Sequence, residues 1–326
     1  MKLNKIWAAW LLTLMLAVTA GCGNAEKEGT PASEPTKQEA KAPEQADLKT
    51  TYPLKLKDAT GEEVTFDKAP AKIVSLAPSE TEALFAIGLD KEIVGVTDFD
   101  DYPEAAKSKP KMGGMKVNAE TIVAAQPDVV FVAGLTDAET IKTLRGLNIK
   151  VFQFNPKTID AVIQDIDTYG QITDHQAEAK KVTDQMKKEL QQVTDAVKSV
   201  TNKQKKKVYI EFSPGFTVGK GEFMDEMISL SGGVNVAGDL TGWQQINEEN
   251  IIKANPDVIL YAKSVVDENN KTLADIIKAR SGWDKITAIK DNRVVGLDDN
   301  LLSRPGPRVT QGLIEVAKAI YPDLVK

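Results

Sequence analysis

Two fifteen-residue stretches of the chain, 118–132 (NAETIVAAQPDVVFV) and 247–261 (NEENIIKANPDVILY), align without gaps and agree at about half their positions. Each reads as a short helix, a Pro-Asp turn that stops it, and a buried strand of β-branched and aromatic residues. The spacing between the copies is far too long for a solenoid, so the repeat predicts two similar lobes.

The pattern extends outward from this pair. Residues 72–76 (KIVSL) predict an apolar strand, followed by Ala77-Pro78-Ser79, a helix from about Glu80 to Ile87 ended by Gly88, and a second strand over 93–96. The counterpart in the second copy is a strand over 208–212, a loop through Lys220-Gly221, a helix over 223–230 and Gly232-Gly233. Strands alternating with helices predict parallel sheets with crossover connections, so each lobe is expected to be a small α/β sandwich. Between the lobes, Val182, Met186, Leu190, Val193 and Val197 recur at three- and four-residue spacing among charged residues, one apolar stripe on a long solvated helix. Thr173 with Gln176 predicts a capping box at its start, and the lysines of 203–207 suit its end. A helix of about 28 residues would be about 42 Å long, a rigid strut between the lobes.

The N-terminal region reads differently. Lys2 and Lys5 precede an apolar run over 6–20 that is too short to span a bilayer comfortably, and Ala20-Gly21-Cys22-Gly23 follows. This segment resembles a bacterial lipoprotein signal, with Thr19 in place of the usual leucine; cleavage would leave Cys22 as a lipid-modified N-terminus. The alternative is an ordinary cleaved signal or an uncleaved anchor. Residues 24–48 are nearly devoid of large apolar side chains and predict a flexible tether. The resulting division is signal 1–21, tether 22–50, first lobe 51–173, backbone helix 174–203 and second lobe 204–326.

Composition narrows the chemistry. The chain has 326 residues and a formal net charge of −6, which argues against a nucleic-acid partner. Cys22 is the only cysteine and His175 the only histidine, so a disulfide framework, a thiolate zinc site, an iron–sulfur cluster and a histidine-rich metal centre are all excluded. No run after Ala20 is long and apolar enough to cross a membrane, so the chain is not itself the channel. Gly219-Lys220-Gly221 lacks the frame of a phosphate-binding loop and no Gly-x-Ser-x-Gly elbow is present, so no enzyme chemistry is expected.

Two α/β lobes on one long helix resemble the helical-backbone substrate-binding proteins that serve ATP-binding-cassette importers. The residues 72–88 (KIVSLAPSETEALFAIG), 96–103 (VTDFDDYP), the paired NAETI/NEENI and QPDVV/NPDVI blocks, and 303–309 (SRPGPRV) are most similar to the cobalamin and ferric-siderophore branch. That resemblance implies a monomeric, lipid-anchored receptor that captures a corrinoid and presents it to a permease dimer and its ATPase. A ferric siderophore or haem is the alternative cargo. A surface signalling or adhesion module on the same scaffold is a reading from another class.

Ligand contacts are expected on loops at the carboxyl ends of the parallel strands. Ser79, Phe99, Tyr102, Phe216, Trp243 and Arg304 are the candidates, since flat side chains can cover the broad faces of a corrin or siderophore and a guanidinium can hold its polar periphery. For each aromatic the alternative is a core position beneath its loop. For Arg304, and for Arg308 across Pro305-Gly306-Pro307, the alternative is a lobe–lobe ion pair. The resemblance also implies one glutamate on the exposed tip of each lobe for docking on the permease. Glu82 and Glu226 occupy matching helices and are the first choice, with Glu80 and Glu222 as the fallback.

Overall fold

The computed structural model describes residues 48–326. The signal, Cys22 and most of the expected tether lie outside the described residues.

The first part of the chain forms a hairpin, β1 (Leu54–Lys57) and β2 (Glu63–Phe66), then β3 (Ile73–Ser75), α1 (Pro78–Ala86), β4 (Ile93–Gly95), α2 (Ala119–Ala125), β5 (Val129–Val132), α3 (Ala138–Gly146) and β6 (Val151–Gln153). Two helices follow, α4 (Ile159–Thr173) and α5 (Gln176–Val197). The remainder forms β7 (Lys207–Glu211), β8 (Phe216–Val218), α6 (Phe223–Leu230), β9 (Val234–Asn235), β10 (Trp243–Gln245), α7 (Glu248–Ala254), β11 (Val258–Ala262) and α8 (Leu273–Ala279). It closes with α9 (Thr287–Lys290), β12 (Val294–Leu297), α10 (Asp299–Ser303) and α11 (Val309–Ile320).

Each lobe is built on a four-stranded parallel sheet, ordered β4-β3-β5-β6 in the first and β9-β7-β11-β12 in the second. The orders are equivalent: in both, the opening strand lies beside the second and third, and the fourth extends the sheet beyond the third. The sheets are covered on both faces, as parallel sheets require. In β5, Val129 and Phe131 join the core shared with α1 and α4, while Val130 and Val132 join a second cluster with Ile122 of α2 and Ile141 and Leu144 of α3. That alternation is the two-residue period of a strand.

The repeat explains the local structure of both lobes. Asn118 and Asn247 cap α2 and α7 by accepting from the backbone N–H groups of Thr121 and Asn250. Both helices end on a left-handed residue, Gln126 and Asn255, and the aspartate of each Pro-Asp turn then ties down the opening strand. Asp128 accepts from Ala71 and Lys72 N–H, and Asp257 from Lys207 N–H. With the turn so anchored, the following strand is forced into register beside its neighbour.

The lobes are joined by α5, whose 22 residues span about 33 Å at 1.5 Å per residue. It is shorter than expected and begins differently. Thr173 is no N-cap; it closes α4, its hydroxyl bonding back to Tyr169 O, and Asp174 then turns the chain in the left-handed region. The long helix is thus one arm of a helical hairpin. Gly170 makes the close approach possible, since a Cβ there would stand 2.6 Å from that of Ala179. The hairpin packs on both lobes, α4 against α1 and α6, and α5 against α1 and α11. No helix among the described residues is long and apolar enough to cross a membrane.

Candidate functional site

The loops at the carboxyl ends of β3 and β4 face the turn at residues 304–308, and a network of charge closes the gap. Glu82, on α1, is 3% exposed and accepts from Arg308 Nε at 2.8 Å, Arg308 Nη2 at 2.7 Å and Arg304 Nη1 at 3.0 Å. Arg304 also donates to Asp101 at 2.7 Å; desolvation raises the Asp101 carboxyl, but this hydrogen bond and the Arg304 charge together outweigh it and lower its pKa. Arg308 lies 3.7 Å from the centre of the Tyr102 ring, a cation–π contact between lobes. Gly306 sits against the Ser79 backbone, where a Cβ would come within 3.1 Å of the carbonyl oxygen.

Three sequence-based assignments change as a result. Glu82 is buried in the lobe contact and cannot serve as an exposed docking tip. Arg304 is consumed by two carboxylates and belongs to the ion pair between lobes, not to a free ligand-binding cation. Ser79 is buried too, its hydroxyl donating to Glu80 at 2.6 Å. The fallback glutamates fare no better. Glu80 and Glu222 are both buried, and Glu222 binds Lys157 of the first lobe at 2.9 Å. Glu226 is half-buried and accepts from the Ile159 N–H at 2.6 Å, capping the approach to α4. Because Glu82 and the two arginines lie more than 220 residues apart in the chain, no local pattern announces their meeting.

The aromatic candidates are divided between the two lobes, with Tyr102 in contact with Arg308 of the bridge. In the first lobe Phe99 and Tyr102 are 50% and 45% exposed. Their loop is braced by buried Asp100, which accepts from the Thr97 N–H at 2.8 Å and from the Thr97 hydroxyl, while Phe99 N–H donates to Thr97 Oγ1. Desolvation raises the pKa of Asp100, countered by these hydrogen bonds. In the second lobe, β8 and β10 form a two-stranded antiparallel ribbon carrying Phe216 and Trp243. Trp243 packs edge-on to Phe212 at 5.0 Å and near Phe223 at 6.1 Å, leaving Phe216 38% exposed and Trp243 half-buried. Phe223 opens α6 directly after Glu222, so this cluster adjoins the Lys157 contact between the lobes.

Met115, 90% exposed, follows Gly114, which lies against the Phe99 ring, and adds apolar surface on the first lobe, whereas Met112 is buried under Gly95. Sequence reasoning missed the Lys157–Glu222 pair and a buried pair between Glu211 and Arg280. Among the described residues no group of three or more acidic, histidine or cysteine side chains is placed to hold a metal ion.

Beneath the bridge, Ser79, Glu80 and Ala83 of α1, Asp165 and Tyr169 of α4, and Pro305-Gly306 enclose a cavity of about 10 Å³. Desolvation pushes both acids up to about 7; the Asp165 charge raises Glu80 further although Glu80 keeps a hydrogen bond from Ser79, whereas Asp165 is raised by desolvation alone and its Oδ2 has no partner.

Comparison with known proteins agrees with this architecture. Over its whole length the chain is 36% identical to the Bacillus subtilis (strain 168) protein named as an uncharacterized ABC transporter substrate-binding lipoprotein, YvrC, covering 99% of it. It is 30% identical to the cobalamin-binding protein of Halobacterium salinarum (strain ATCC 29341 / DSM 671 / R1), across 96% of this chain and 84% of that one. Among solved structures, a possible iron-binding (periplasmic solute-binding) protein from Staphylococcus epidermidis ATCC 12228 superposes with a TM-score of 0.67 at 31% identity, across 78% of this chain and all of the other. The periplasmic binding protein family model matches residues 73–301, from the first strand of one sheet to beyond the last strand of the other, and the chain belongs to that family.

Proposed function

We propose that the protein is the extracytoplasmic solute-binding component of an ABC importer and that its cargo is a corrinoid, held between the loop of Phe99 and Tyr102 and the ribbon of Phe216 and Trp243. The observation that carries the choice of cargo is the neutralised bridge: Glu82 and Asp101 occupy both guanidinium groups at residues 304–308. Haem propionates and carboxylate siderophores call for unpaired cations, whereas a corrin offers a broad face and a periphery of neutral amides, which aromatic walls suit. The name of the Halobacterium salinarum relative supports the same reading. The Staphylococcus epidermidis structure, described as a possible iron-binding protein, favours a ferric siderophore as the second reading.

Docking on a two-subunit permease calls for one acidic tip per lobe, and the burial of Glu82 moves that role. Glu120 and Glu249 hold the same position in the two copies of the repeat, both exposed in the first turn of α2 and α7. Charge pairs at such rims steer encounter and fix register more than they add affinity. The receptor acts as a monomer, tethered to the membrane through a lipid on Cys22, and does no chemistry on its cargo.

Calorimetric titration with cyanocobalamin, cobinamide, haemin and a ferric hydroxamate tests the reading. One-to-one binding of the corrinoids, with the iron compounds weak, is expected. Silence with corrinoids and saturable heat from the hydroxamate would overturn the cargo while keeping the class.

A further inference from the structure

We propose that Glu211 and Arg280 are positioning residues for the cleft: a buried ion pair that holds the β8–β10 ribbon, and with it Phe216 and Trp243, in its ligand-receiving place. The proposal rests on the reading of those two aromatics as a ligand wall.

Glu211 ends β7 and is fully buried. Arg280 grips it at both oxygens, Nη1 to Oε2 at 2.6 Å and Nη2 to Oε1 at 2.7 Å. Tyr209 donates its hydroxyl to Oε2 at 2.8 Å. The guanidinium is held in turn by the Trp283 ring at 4.7 Å and by Glu248 at 3.2 Å from Nε. The remaining capacity of Glu211 goes to one loop amide: Gly215 N–H donates to Oε1 at 2.8 Å.

Gly215 is where the ribbon is fastened. It precedes Phe216, has a φ of 78°, and its carbonyl accepts from Ile246 N–H at 2.9 Å, immediately after β10. One residue therefore ties both strands of the ribbon to the buried pair. Strands of three residues have little stability of their own, so an anchor of this kind decides where their side chains stand.

The internal repeat shows that packing alone does not call for the carboxylate. Ile73 pairs with Val129 as Val208 pairs with Val258, so Leu76 of the first lobe is the counterpart of Glu211. The first lobe fills this position with a leucine. The second spends a charge there, and a buried ion pair of this kind contributes more to a defined geometry than to stability.

The test uses the full-length protein carrying Glu211→Leu together with Arg280→Met, which removes the pair without stranding a charge. Hydrogen exchange across residues 213–218 and the dissociation rate of cyanocobalamin are measured alongside the melting temperature. The proposal expects a melting temperature lowered about as much as in Tyr209→Phe, since both variants lose the Tyr209–Glu211 contact, but with exchange and dissociation each about tenfold faster, the scale of one lost hydrogen bond. Arg280→Lys, which leaves Glu211 paired through one oxygen, should give an intermediate value and serves if the double variant does not fold. Tyr209→Phe loses a contact to Glu211 away from the loop; it should lower the melting temperature and leave both rates unchanged. Wild-type exchange and dissociation in the double variant, or equal acceleration in Tyr209→Phe, would overturn the proposal. If the wild type binds no cyanocobalamin, the cargo reading fails separately, and the exchange rates alone decide the role of the pair.

Discussion

Replacing Glu80 with glutamine should make the protein more stable above neutral pH and flatten its stability profile. Glu80 is 4% exposed, and desolvation, abetted by the nearby Asp165 and Asp100 charges, pushes its carboxyl up to about 7 from 4.5 in spite of the Ser79 hydrogen bond. An acid that binds its proton more tightly when folded destabilises the fold once the unfolded chain has ionised. Stability associated with Glu80 is therefore present in full below about pH 4.5, declines as pH rises toward 7, and stays low above that. At about 1.4 kcal/mol per pH unit, the interval between the two values corresponds to a decline of about 3 kcal/mol. The groups facing Glu80 are Ser79 on its own helix, Asp165 and Tyr169 on α4, and Asp100 on the loop after β4. Asp165 titrates in the same range, so the wild-type profile belongs to the pair. Glutamine keeps an oxygen for the Ser79 hydroxyl and carries no charge. Urea unfolding of Glu80→Gln and wild type between pH 4.5 and 8.5 should give curves that meet at the acid end and diverge by up to about 3 kcal/mol at the alkaline end. Parallel curves, or a loss of stability at pH 8, would show that burial of the Glu80 charge does not destabilise the fold.

Other outcomes follow from the same geometry. Glu82→Ala leaves Arg308 without its carboxylate and Arg304 with Asp101 alone, and should cost about 3 kcal/mol in urea unfolding; a change near zero would remove the bridge from the account. Glu120→Ala with Glu249→Ala should cut cellular uptake of corrinoid while calorimetric affinity stays at the wild-type value, and a parallel loss of affinity would move those residues into the ligand site. Cys22→Ala should release the protein from the membrane fraction, and unchanged retention would contradict the lipid anchor.

Much of the fold is legible in the sequence because the repeat is. The Pro-Asp turns mark where α2 and α7 stop, and the β-branched runs behind them become β5 and β11. The helix at residues 223–230 falls where its counterpart in the first lobe predicts it. The start of α5 misleads because Thr173 is a good capping residue in isolation; only the packing of Gly170 on Ala179 shows that a helix has already run through it. The aromatic loop residues are legible as candidates because exposed rings after parallel strands are few. The charged residues are not. In α1 the segment from Ser79 to Leu84 is buried throughout, so its glutamates look like a solvated face and are instead covered by Arg304, Arg308 and α4. Loop composition names the arginines, but their partners come from the other lobe.

Co-crystals with cyanocobalamin, examined by the anomalous scattering of cobalt, would locate the cargo within the protein. A single strong cobalt peak is expected between the Phe99–Tyr102 loop and the Phe216–Trp243 ribbon, with Arg304 and Arg308 still bound to Glu82. A cobalt peak elsewhere, or none from crystals grown at saturating ligand, would contradict that placement.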